Sequence, residues 1–339
     1  MMIIGAGILA GAAGCGETEE TVQAAADGTE DKVQIGISFD SFVIERWIRD
    51  RDVFVSAANE LGAEVNVQNA NGDVQEQIEQ IEYFIDKQMD VIVVVAGDCN
   101  LLTDVLKKAK ESGIKTMCYD RLIANADCDI YISFDNEEVG RLMAKCLKDS
   151  LPEGGDIFMI QGPVSDGNVI QIRKGFEETI RGSNLRVVYK ANCKDWLAEY
   201  AFIYVNEALA EYPEVKGIMC GNDDLATQAF CALAEKRLAG SVLLTGQDGD
   251  LIACQRIVEG TQQMTAFKAL EEEAKLAAGY AVMLGKGEPL SGISETINDG
   301  TYDVPYLELD PIPVTKKNMD EVIIQGGFHA KEEVYRNVY

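Results

Sequence analysis

The feature that most limits the fold is a regular alternation of short apolar runs with longer amphipathic stretches from Val33 onward. Residues 91–95 are all valine or isoleucine, as in a parallel strand that is buried on both faces. Strands that alternate with helices predict βαβ units, which connect with right-handed crossovers into doubly wound parallel sheets. The expected strands are residues 33–39, 64–68, 91–95, 115–119, 157–160, 186–189, 217–220, 242–245 and 263–267.

So many strands suit two sheets better than one, and 339 residues can hold two domains of ordinary size. The sequence therefore predicts an α/β protein with two doubly wound parallel-sheet lobes. No Gly-, Ser- or Pro-rich linker separates the lobes, so we expect a hinge of three short ordered crossings. These crossings are expected near residues 132–134, 266–268 and 303–309. The N-terminal lobe then comprises residues 32–133 and 267–304, and the C-terminal lobe residues 134–266 and 305–339.

The first 31 residues differ in composition from the rest of the chain. Residues 1–14 are apolar and rich in Gly and Ala, which is typical of an export signal and too short for a membrane-spanning helix. Ala12-Ala13-Gly14-Cys15 resembles a bacterial lipobox, whose cysteine carries a lipid. No Lys or Arg precedes the apolar run, which is consistent with a start further upstream. Residues 15–31 are polar and acidic and are expected to be a tether, so we expect an exported protein anchored through Cys15 on the outer face of the cytoplasmic membrane.

Charge and side-chain chemistry exclude several classes of protein. The chain has 57 acidic and 30 basic residues, a net charge of −27, and no basic stripe, so nucleic acid is not expected as a partner. The nine cysteines contain no C-x-x-C pair and the single histidine is His329, so no metal site and no cofactor are predicted. Most cysteines lie in apolar runs and are expected to be small core residues, without a disulfide framework.

Polar and aromatic residues follow almost every predicted strand, at the edge where ligands bind in open α/β sheets. Asp and Asn accept hydrogen bonds while Arg, Lys and Asn donate them, which suits the paired hydroxyls of a sugar. The two tryptophans, Trp47 and Trp196, fall at strand ends in different predicted lobes, and each would offer an aromatic face to a sugar ring. The residues in these positions are Glu45-Arg46-Trp47, Asp120-Arg121, Asp166, Asn168, Asp195-Trp196, Asn222-Asp223, Gln247-Asp248 and Lys268.

Several of these residues also have a structural interpretation. Asp120, Asp248 and Asn222-Asp223 are compatible with helix N-caps, because Asp and Asn side chains accept hydrogen bonds from first-turn amides. Arg46 is compatible with an exposed helix face, and Trp47 with the core. Asp135-Asn136, just past a predicted crossing, is expected to be a cap. The occurrence of polar pairs after nearly every strand favours a sugar site, because caps alone do not explain it.

Eight short motifs in a characteristic order carry a family resemblance. They are Glu45-Arg46-Trp47, Ala70-Asn71-Gly72, Tyr119-Asp120-Arg121, Tyr131-Ile132-Ser133-Phe134-Asp135-Asn136, Gly221-Asn222-Asp223, Gly246-Gln247-Asp248, Gly260-Thr261-Gln262 and Gly327-Phe328-His329. From about residue 33 to about residue 333, the chain resembles the xylose-binding members of the ribose/galactose type of periplasmic binding proteins, which serve bacterial ABC sugar importers. The resemblance implies a type I periplasmic binding protein fold and sugar contacts from Arg46, Trp47, Asp120, Arg121 and Lys268 in one lobe or the hinge, and from Asn168, Trp196, Asn222 and Asp248 in the other.

Three positions depart from that family's pattern. Gly167 stands where an Asn is expected, and Ala269 follows Lys268 where the family usually has Pro. Asp223-Asp224 is more acidic than the usual Asn-Asp-Ala. The first two positions are expected to lie close to the ligand, so they bear on which sugar binds.

The sequence also argues against an enzyme and a repressor. A glycosidase needs a carboxyl group with a raised pKa, whereas Asp120 and Asp248 are expected to share a cleft with cations that keep carboxylates ionised. The chain has no Gly-x-Ser-x-Gly motif and no phosphate loop, and an export signal occupies the place of a helix-turn-helix. We therefore expect a monomer that binds D-xylose or a related monosaccharide by hinge closure and touches the membrane only through its lipid. Its partner is expected to be an ABC importer permease, with a membrane histidine kinase or chemoreceptor as the alternative.

Overall fold

The computed structural model describes residues 32–338, in which strands and helices alternate over most of the length. The expected export signal, Cys15 and tether lie outside these residues. The strands are β1 (Gln34–Phe39), β2 (Glu64–Asn69), β3 (Val91–Val95), β4 (Lys115–Tyr119), β5 (Ile130–Phe134), β6 (Gly155–Gln161), β7 (Leu185–Asn192), β8 (Gly217–Cys220), β9 (Leu243–Gln247), β10 (Met264–Phe267), β11 (Glu295–Asn298), β12 (Asp303–Leu309) and β13 (Ile312–Val314). The α-helices are α1 (Arg46–Glu60), α2 (Val74–Asp86), α3 (Thr103–Glu111), α4 (Asn136–Ser150), α5 (Gly167–Ile180), α6 (Glu199–Glu211), α7 (Asp223–Glu235), α8 (Leu251–Glu259), α9 (Leu270–Gly285) and α10 (Lys331–Val334).

The strands form two separate sheets. One has seven strands in the order β11-β12-β5-β4-β3-β1-β2, and the other has six in the order β13-β10-β9-β8-β6-β7. Both are parallel except at one edge, where β11 pairs antiparallel with β12 and β13 pairs antiparallel with β10. The predicted fold class, two doubly wound parallel-sheet lobes, is confirmed. None of the helices within residues 32–338 is long and apolar enough to cross a membrane.

Helices cover both faces of each sheet, which explains the almost wholly apolar central strands. Val91, Val93 and Val95 of β3 point into one core, which also contains apolar residues of α1 and α9. Ile92 and Val94 point the other way, into a core that they share with α2 and α3. Each such aliphatic side chain contributes about 1.5–3 kcal/mol of burial free energy, so the strand is stable only between two helical layers. In the second sheet, β6 alternates between two cores in the same manner.

The chain passes between the sheets three times. Helices α1–α3 and α9 pack on the seven-stranded sheet, and we call these helices and this sheet lobe 1. Helices α4–α8 pack on the six-stranded sheet, and we call these helices and that sheet lobe 2. The crossings lie between β5 and α4, between β10 and α9, and between β12 and β13. The expected boundary at residues 304/305 falls inside β12, which pairs with β5 in lobe 1 through Leu309. The third crossing is therefore the short segment Asp310-Pro311.

Candidate functional site

All nine predicted contact residues line a single cavity between the two lobes. The carboxyl ends of the parallel strands of both sheets meet at this cavity, as expected for ligand sites in open α/β sheets. Three further residues share the lining. The complete set is Ile44, Arg46, Trp47, Asp120, Arg121, Asp166, Asn168, Trp196, Asn222, Gln247, Asp248 and Lys268.

Arg46 begins α1, and its buried guanidinium joins four carboxyl groups. Its Nη1 atom lies 3.0 Å from Asp120 Oδ2 and 3.7 Å from Asp248 Oδ1. Its Nη2 atom lies 2.8 Å from Glu273 Oε2 and 3.2 Å from Asp50 Oδ1. Burial raises the pKa of Asp50 and of Glu273 above ordinary carboxyl values. Burial therefore favours the neutral form of these two carboxyl groups, which opposes the attraction of the Arg46 guanidinium for their ionised form.

Asp120 lies at the centre of the site, directly after β4. It adopts a left-handed conformation with φ of 62°, and its backbone N–H donates to the Ile132 carbonyl over 2.8 Å. Burial opposes ionisation of its carboxyl, but nearby cations outweigh burial and hold the pKa of Asp120 below its ordinary value. These cations are Arg46, Lys268 and Arg121. Asp120 is therefore an anionic acceptor facing the cavity.

Arg121 connects the lobes through ion pairs on both sides of the cavity. Within lobe 1, its Nη1 atom donates to Asp40 Oδ2 over 2.9 Å and to the Ala96 carbonyl over 2.7 Å. Its Nε atom lies 2.9 Å from Asp166 Oδ2 in lobe 2. Because its planar guanidinium is held by lobe 1, Arg121 presents a fixed positive charge to the opposite lobe.

Asp166 positions the aromatic side chain of lobe 2. One carboxylate oxygen accepts the Asn168 N–H at the start of α5, and the other accepts the Trp196 indole N–H over 3.1 Å. A Cβ atom at Gly162 would lie 2.3 Å from a ring carbon of Trp196, so only glycine leaves room for the indole there. Trp196 itself is 5% exposed and adopts φ of 57°. Its ring is thus held at the cavity wall by a hydrogen bond and a close backbone contact.

Besides Arg121 Nε, which has only the ion pair with Asp166, three buried polar atoms among the lining residues have no hydrogen-bond partner within residues 32–338. They are Trp47 Nε1, Asn222 Nδ2 and Gln247 Oε1. The other polar atom of each amide is used, because Asn222 Oδ1 accepts the Leu225 N–H and Gln247 Nε2 donates to the Gly221 carbonyl. An unsatisfied buried polar group costs about 1–3 kcal/mol, so these atoms are suited to hydrogen bonds with a ligand.

Lys268 and Asp248 complete the site beside the second crossing. Lys268 directly follows β10, and its Nζ atom lies 3.3 Å from Asn136 Oδ1 and 3.8 Å from Asp120 Oδ2. Asp248 directly follows β9, and burial raises the pKa of its carboxyl although Arg46 and Lys268 oppose the rise. Neighbouring cations therefore outweigh burial at Asp120, as expected, whereas burial outweighs the cations at Asp248.

Comparison with known proteins identifies the family. The profile described as periplasmic binding protein domain matches residues 35–289. This chain is a periplasmic binding protein. It is 43% identical over 308 residues to the D-xylose-binding periplasmic protein of Haemophilus influenzae, covering 89% of this chain and 92% of that protein. It is 40% identical over 308 residues to the protein of the same description from Escherichia coli, covering 89% and 93%.

A solved structure supports the fold of this periplasmic binding protein. The ABC transporter solute-binding protein of Clostridium phytofermentans, solved with bound β-D-glucose, superimposes with a TM-score of 0.82 at 25% sequence identity. The match covers 89% of this chain and 99% of that one. The likeness extends over both sheets, so the two-lobed architecture is that of sugar-binding members of the family.

The structure also answers the alternative interpretations of the site residues. Asp135 caps α4 by accepting the Glu138 N–H over 2.8 Å, which confirms the cap expected at the first crossing. Asn222 both caps α7 and lines the cavity, whereas Asp120 and Asp248 are not at helix N-caps. Arg46 is buried rather than exposed.

Trp47 has both of the roles considered for it, and three lining residues were not among the nine predicted contacts. Trp47 is 1% exposed and belongs both to the core and to the cavity wall. Asp166 and Gln247 also line the cavity. The one sequence feature that pointed to them as site residues is their place after predicted strands. Ile44 gave no signal, because an aliphatic residue in a loop looks like any other partly buried side chain.

Proposed function

We propose that this protein captures one monosaccharide, D-xylose in the first place, between its two lobes and delivers it to an ABC importer outside the cytoplasm. The observation that carries the proposal is the group of buried, unpartnered polar atoms on Trp47, Asn222 and Gln247 around one cavity. Relatives at 43% and 40% identity over nearly nine-tenths of the chain are described as D-xylose-binding, which favours xylose among sugars.

The site offers both halves of the hydrogen bonding that a sugar hydroxyl needs. Asp120 and Gln247 Oε1 supply acceptors, while Lys268 and Asn222 Nδ2 supply donors. The tryptophans supply apolar surface for the C–H faces of the ring. The hydroxyls of a sugar held in this way exchange hydrogen bonds with water for hydrogen bonds with the protein. These new bonds offset the free energy that desolvation of the hydroxyls costs.

Hinge closure explains how one sugar is enclosed by two lobes. Arg121 with Asp166 and Asn168 with Asp120 make direct contacts across the cavity, so these pairs form when the lobes close. The three crossing segments are short, which limits the motion to rotation of nearly rigid lobes. The closed surface that spans both lobes is then the part of the protein that a membrane partner recognises.

The protein is a binding protein and not an enzyme, like its relatives. Bound sugar should therefore be released unchanged. The test is calorimetric titration with a panel of aldopentoses and aldohexoses, followed by analysis of the recovered sugar. D-xylose should bind one-to-one and most tightly. Tighter binding of another sugar would transfer the assignment to that sugar, and a modified product would overturn the non-enzymatic function.

A sensor role is the second candidate for the closed, sugar-loaded protein. The two roles differ in what a deletion of the gene removes. An importer component should be needed for uptake of labelled xylose at low concentration. A protein that serves a histidine kinase or chemoreceptor should leave uptake intact and abolish the transcriptional or chemotactic response to xylose.

Membrane attachment through a lipid on Cys15 is part of the proposal. It is supported by the small residues Ala12-Ala13-Gly14 before the cysteine and by the acidic stretch after it. A Cys15→Ser variant should leave the membrane fraction and keep its sugar affinity, because the tether precedes the first strand of lobe 1. A variant that stays with the membrane would show that another segment anchors the protein.

A further inference from the structure

Two buried cysteines lie in contact beside the sugar site. Cys118 is the fourth residue of β4, and Cys128 lies in the loop before β5. Their Sγ atoms are 2.9 Å apart, and the residues are 0% and 2% exposed. A disulfide bond measures about 2.05 Å, so a combined displacement of about 0.9 Å brings the sulfurs to bonding distance.

The backbone holds both cysteines in this position. Strands β4 and β5 are parallel neighbours, with Met117 opposite Ile130. Next to Cys128, the Asp129 N–H donates to the Thr116 carbonyl over 2.9 Å, and the Asp129 carboxylate accepts the Thr116 N–H over 2.9 Å. These bonds fix the residues beside Cys128, and the loop before β5 places its sulfur in contact with that of Cys118.

We propose that Cys118 and Cys128 form a disulfide in the mature protein, and this inference rests on the proposed location outside the cytoplasm. Exported proteins keep disulfides because their surroundings are oxidising. This pair would then be a disulfide, and not two separate core residues as the sequence suggested. A wider disulfide framework is still not expected.

The disulfide closes a short ring that contains two residues of the sugar site. Asp120 and Arg121 both lie between the two cysteines. Three non-glycine residues of this segment adopt left-handed conformations: Asp120 at φ 62°, Asn125 at 55° and Asp127 at 53°. Such conformations cost free energy and persist when the surroundings enforce them. The disulfide ties the two ends of the segment together and so helps to hold the carboxylate and guanidinium in place.

The bond forms by two thiol–disulfide exchanges with a disulfide-bearing oxidant. The thiolate of one cysteine attacks the oxidant, which gives a mixed disulfide and releases one thiol. The thiolate of the second cysteine then attacks the protein sulfur of the mixed disulfide, forms the Sγ–Sγ bond and releases the second thiol. The two protein thiols lose two protons and two electrons, and the oxidant takes them up.

Oxidation takes place during folding, before the segment closes over the sulfurs. In the folded protein, burial and then the hydrogen bond with Cys128 raise the pKa of the Cys118 thiol well above its ordinary value, which suppresses the reactive thiolate. The same burial protects the finished bond from dissolved reductants. The proposal therefore predicts a disulfide that resists reduction until the protein unfolds.

The test is disulfide mapping after refolding of the full chain in a buffer of reduced and oxidised glutathione. The product is denatured, alkylated with N-ethylmaleimide without reductant, and digested with trypsin. Cleavage after Lys115, Arg121 and Arg141 places the cysteines in the separate peptides 116–121 and 122–141. These peptides should be recovered joined, two hydrogens lighter than their sum and without alkylation. Alkylation of both cysteines would overturn the proposal.

Variants separate this pair from accidental oxidation. In Cys118→Ala, Cys128 should become fully alkylated, whereas Cys231→Ser, at an exposed position on α7, should leave the 118–128 link unchanged. Linkage of Cys128 to another cysteine in wild-type protein would contradict the proposal. The mapping requires no sugar, so a failure to bind xylose with an intact link would count against the proposed function alone.

Discussion

The side-chain amide of Asn168 in lobe 2 donates to the backbone oxygen of Asp120 in lobe 1 over 3.0 Å and to its Oδ1 atom over 2.9 Å. This pair joins the lobes at the cavity, and both partners are buried. One acceptor is a carboxylate whose pKa lies below its ordinary value, because cations outweigh its burial. The contact therefore links closure of the lobes to the charge state of the sugar site.

Replacement of Asn168 by alanine should weaken xylose binding, because the closed state loses both bonds across the cleft. A hydrogen bond to a charged group contributes about 1.5–3 kcal/mol, so the dissociation constant should rise roughly 10- to 100-fold. The matched control is Asn59→Ala at an exposed position of α1, which should bind like wild type. Calorimetric titration of both variants makes the comparison. Unchanged affinity of Asn168→Ala would show that the Asn168–Asp120 pair does not stabilise the closed state.

Trp196 is predicted to be a platform for the sugar ring. Trp196→Ala removes the apolar wall held by Asp166 and should weaken binding by about 2–3 kcal/mol, near two orders of magnitude in dissociation constant. The melting temperature without sugar should change little, because the indole faces the cleft. A core tryptophan would behave in the opposite way, since its truncation typically costs about 3–5 kcal/mol of stability. A thermal melt without sugar and a titration of the same variant distinguish these outcomes.

Asp248 is predicted to bind sugar hydroxyls rather than to stabilise the fold. Asp248→Ala leaves those hydroxyls without their partner at a cost of about 1–3 kcal/mol, so affinity should fall while the sugar-free melting temperature is kept. The control is Asp250→Ala two residues later, at the N-cap position just before α8 and outside the cavity lining. Equal loss of affinity in both variants would indicate a general disturbance of the β9–α8 loop.

Sugar affinity should fall as the pH rises through about 6, because of Asp224. Burial, and then the charges of Asp248 and Glu45, raise the pKa of Asp224 to about 6 in the closed protein. Glu45 belongs to lobe 1, so opening lowers this pKa again. The protonated form therefore favours closure at low pH, and ionisation weakens it at higher pH.

The size of this pH effect follows from the pKa difference between the open and closed forms. One pKa unit of difference corresponds to about tenfold in affinity. For a difference of about half a unit to one unit, we expect the affinity to fall about 3- to 10-fold between pH 5 and pH 8. Asp224→Asn should flatten the profile, and the exposed Asp104→Asn should not. Titrations at four pH values measure it, and a wild-type profile that is already flat would contradict the prediction.

The sequence was sufficient for the two-lobed fold because local patterns decide it. Five consecutive apolar residues in β3 require cover on both faces, and the structure supplies two helical layers there. The third crossing was harder to place, because β12 continues to Leu309 with polar and apolar residues in partial alternation. Helix α4 followed the expected cap at Asp135, but its length depended on packing against α5 that no local pattern reveals.

The sequence could identify those residues of the site that follow predicted strands. Trp196 was expected just after a strand, and it lies in a 3₁₀ turn between β7 and α6 with left-handed φ, held there by Asp166 and by the space beside Gly162. The raised pKa of Asp248 depends on burial that the sequence does not report. The contact between Cys118 and Cys128 depends on the pairing of β4 with β5, which the sequence alone does not determine.

The most direct test of sugar capture between the lobes is a crystal structure of the protein grown with D-xylose. One pyranose should lie between the lobes, in contact with Trp47 and Trp196, with its hydroxyls hydrogen-bonded to Asn222 Nδ2 and Gln247 Oε1. The Arg121–Asp166 ion pair should persist beside it. A sugar bound elsewhere on the surface, or a cleft in which those two amide atoms pair only with protein groups, would contradict sugar capture at this site.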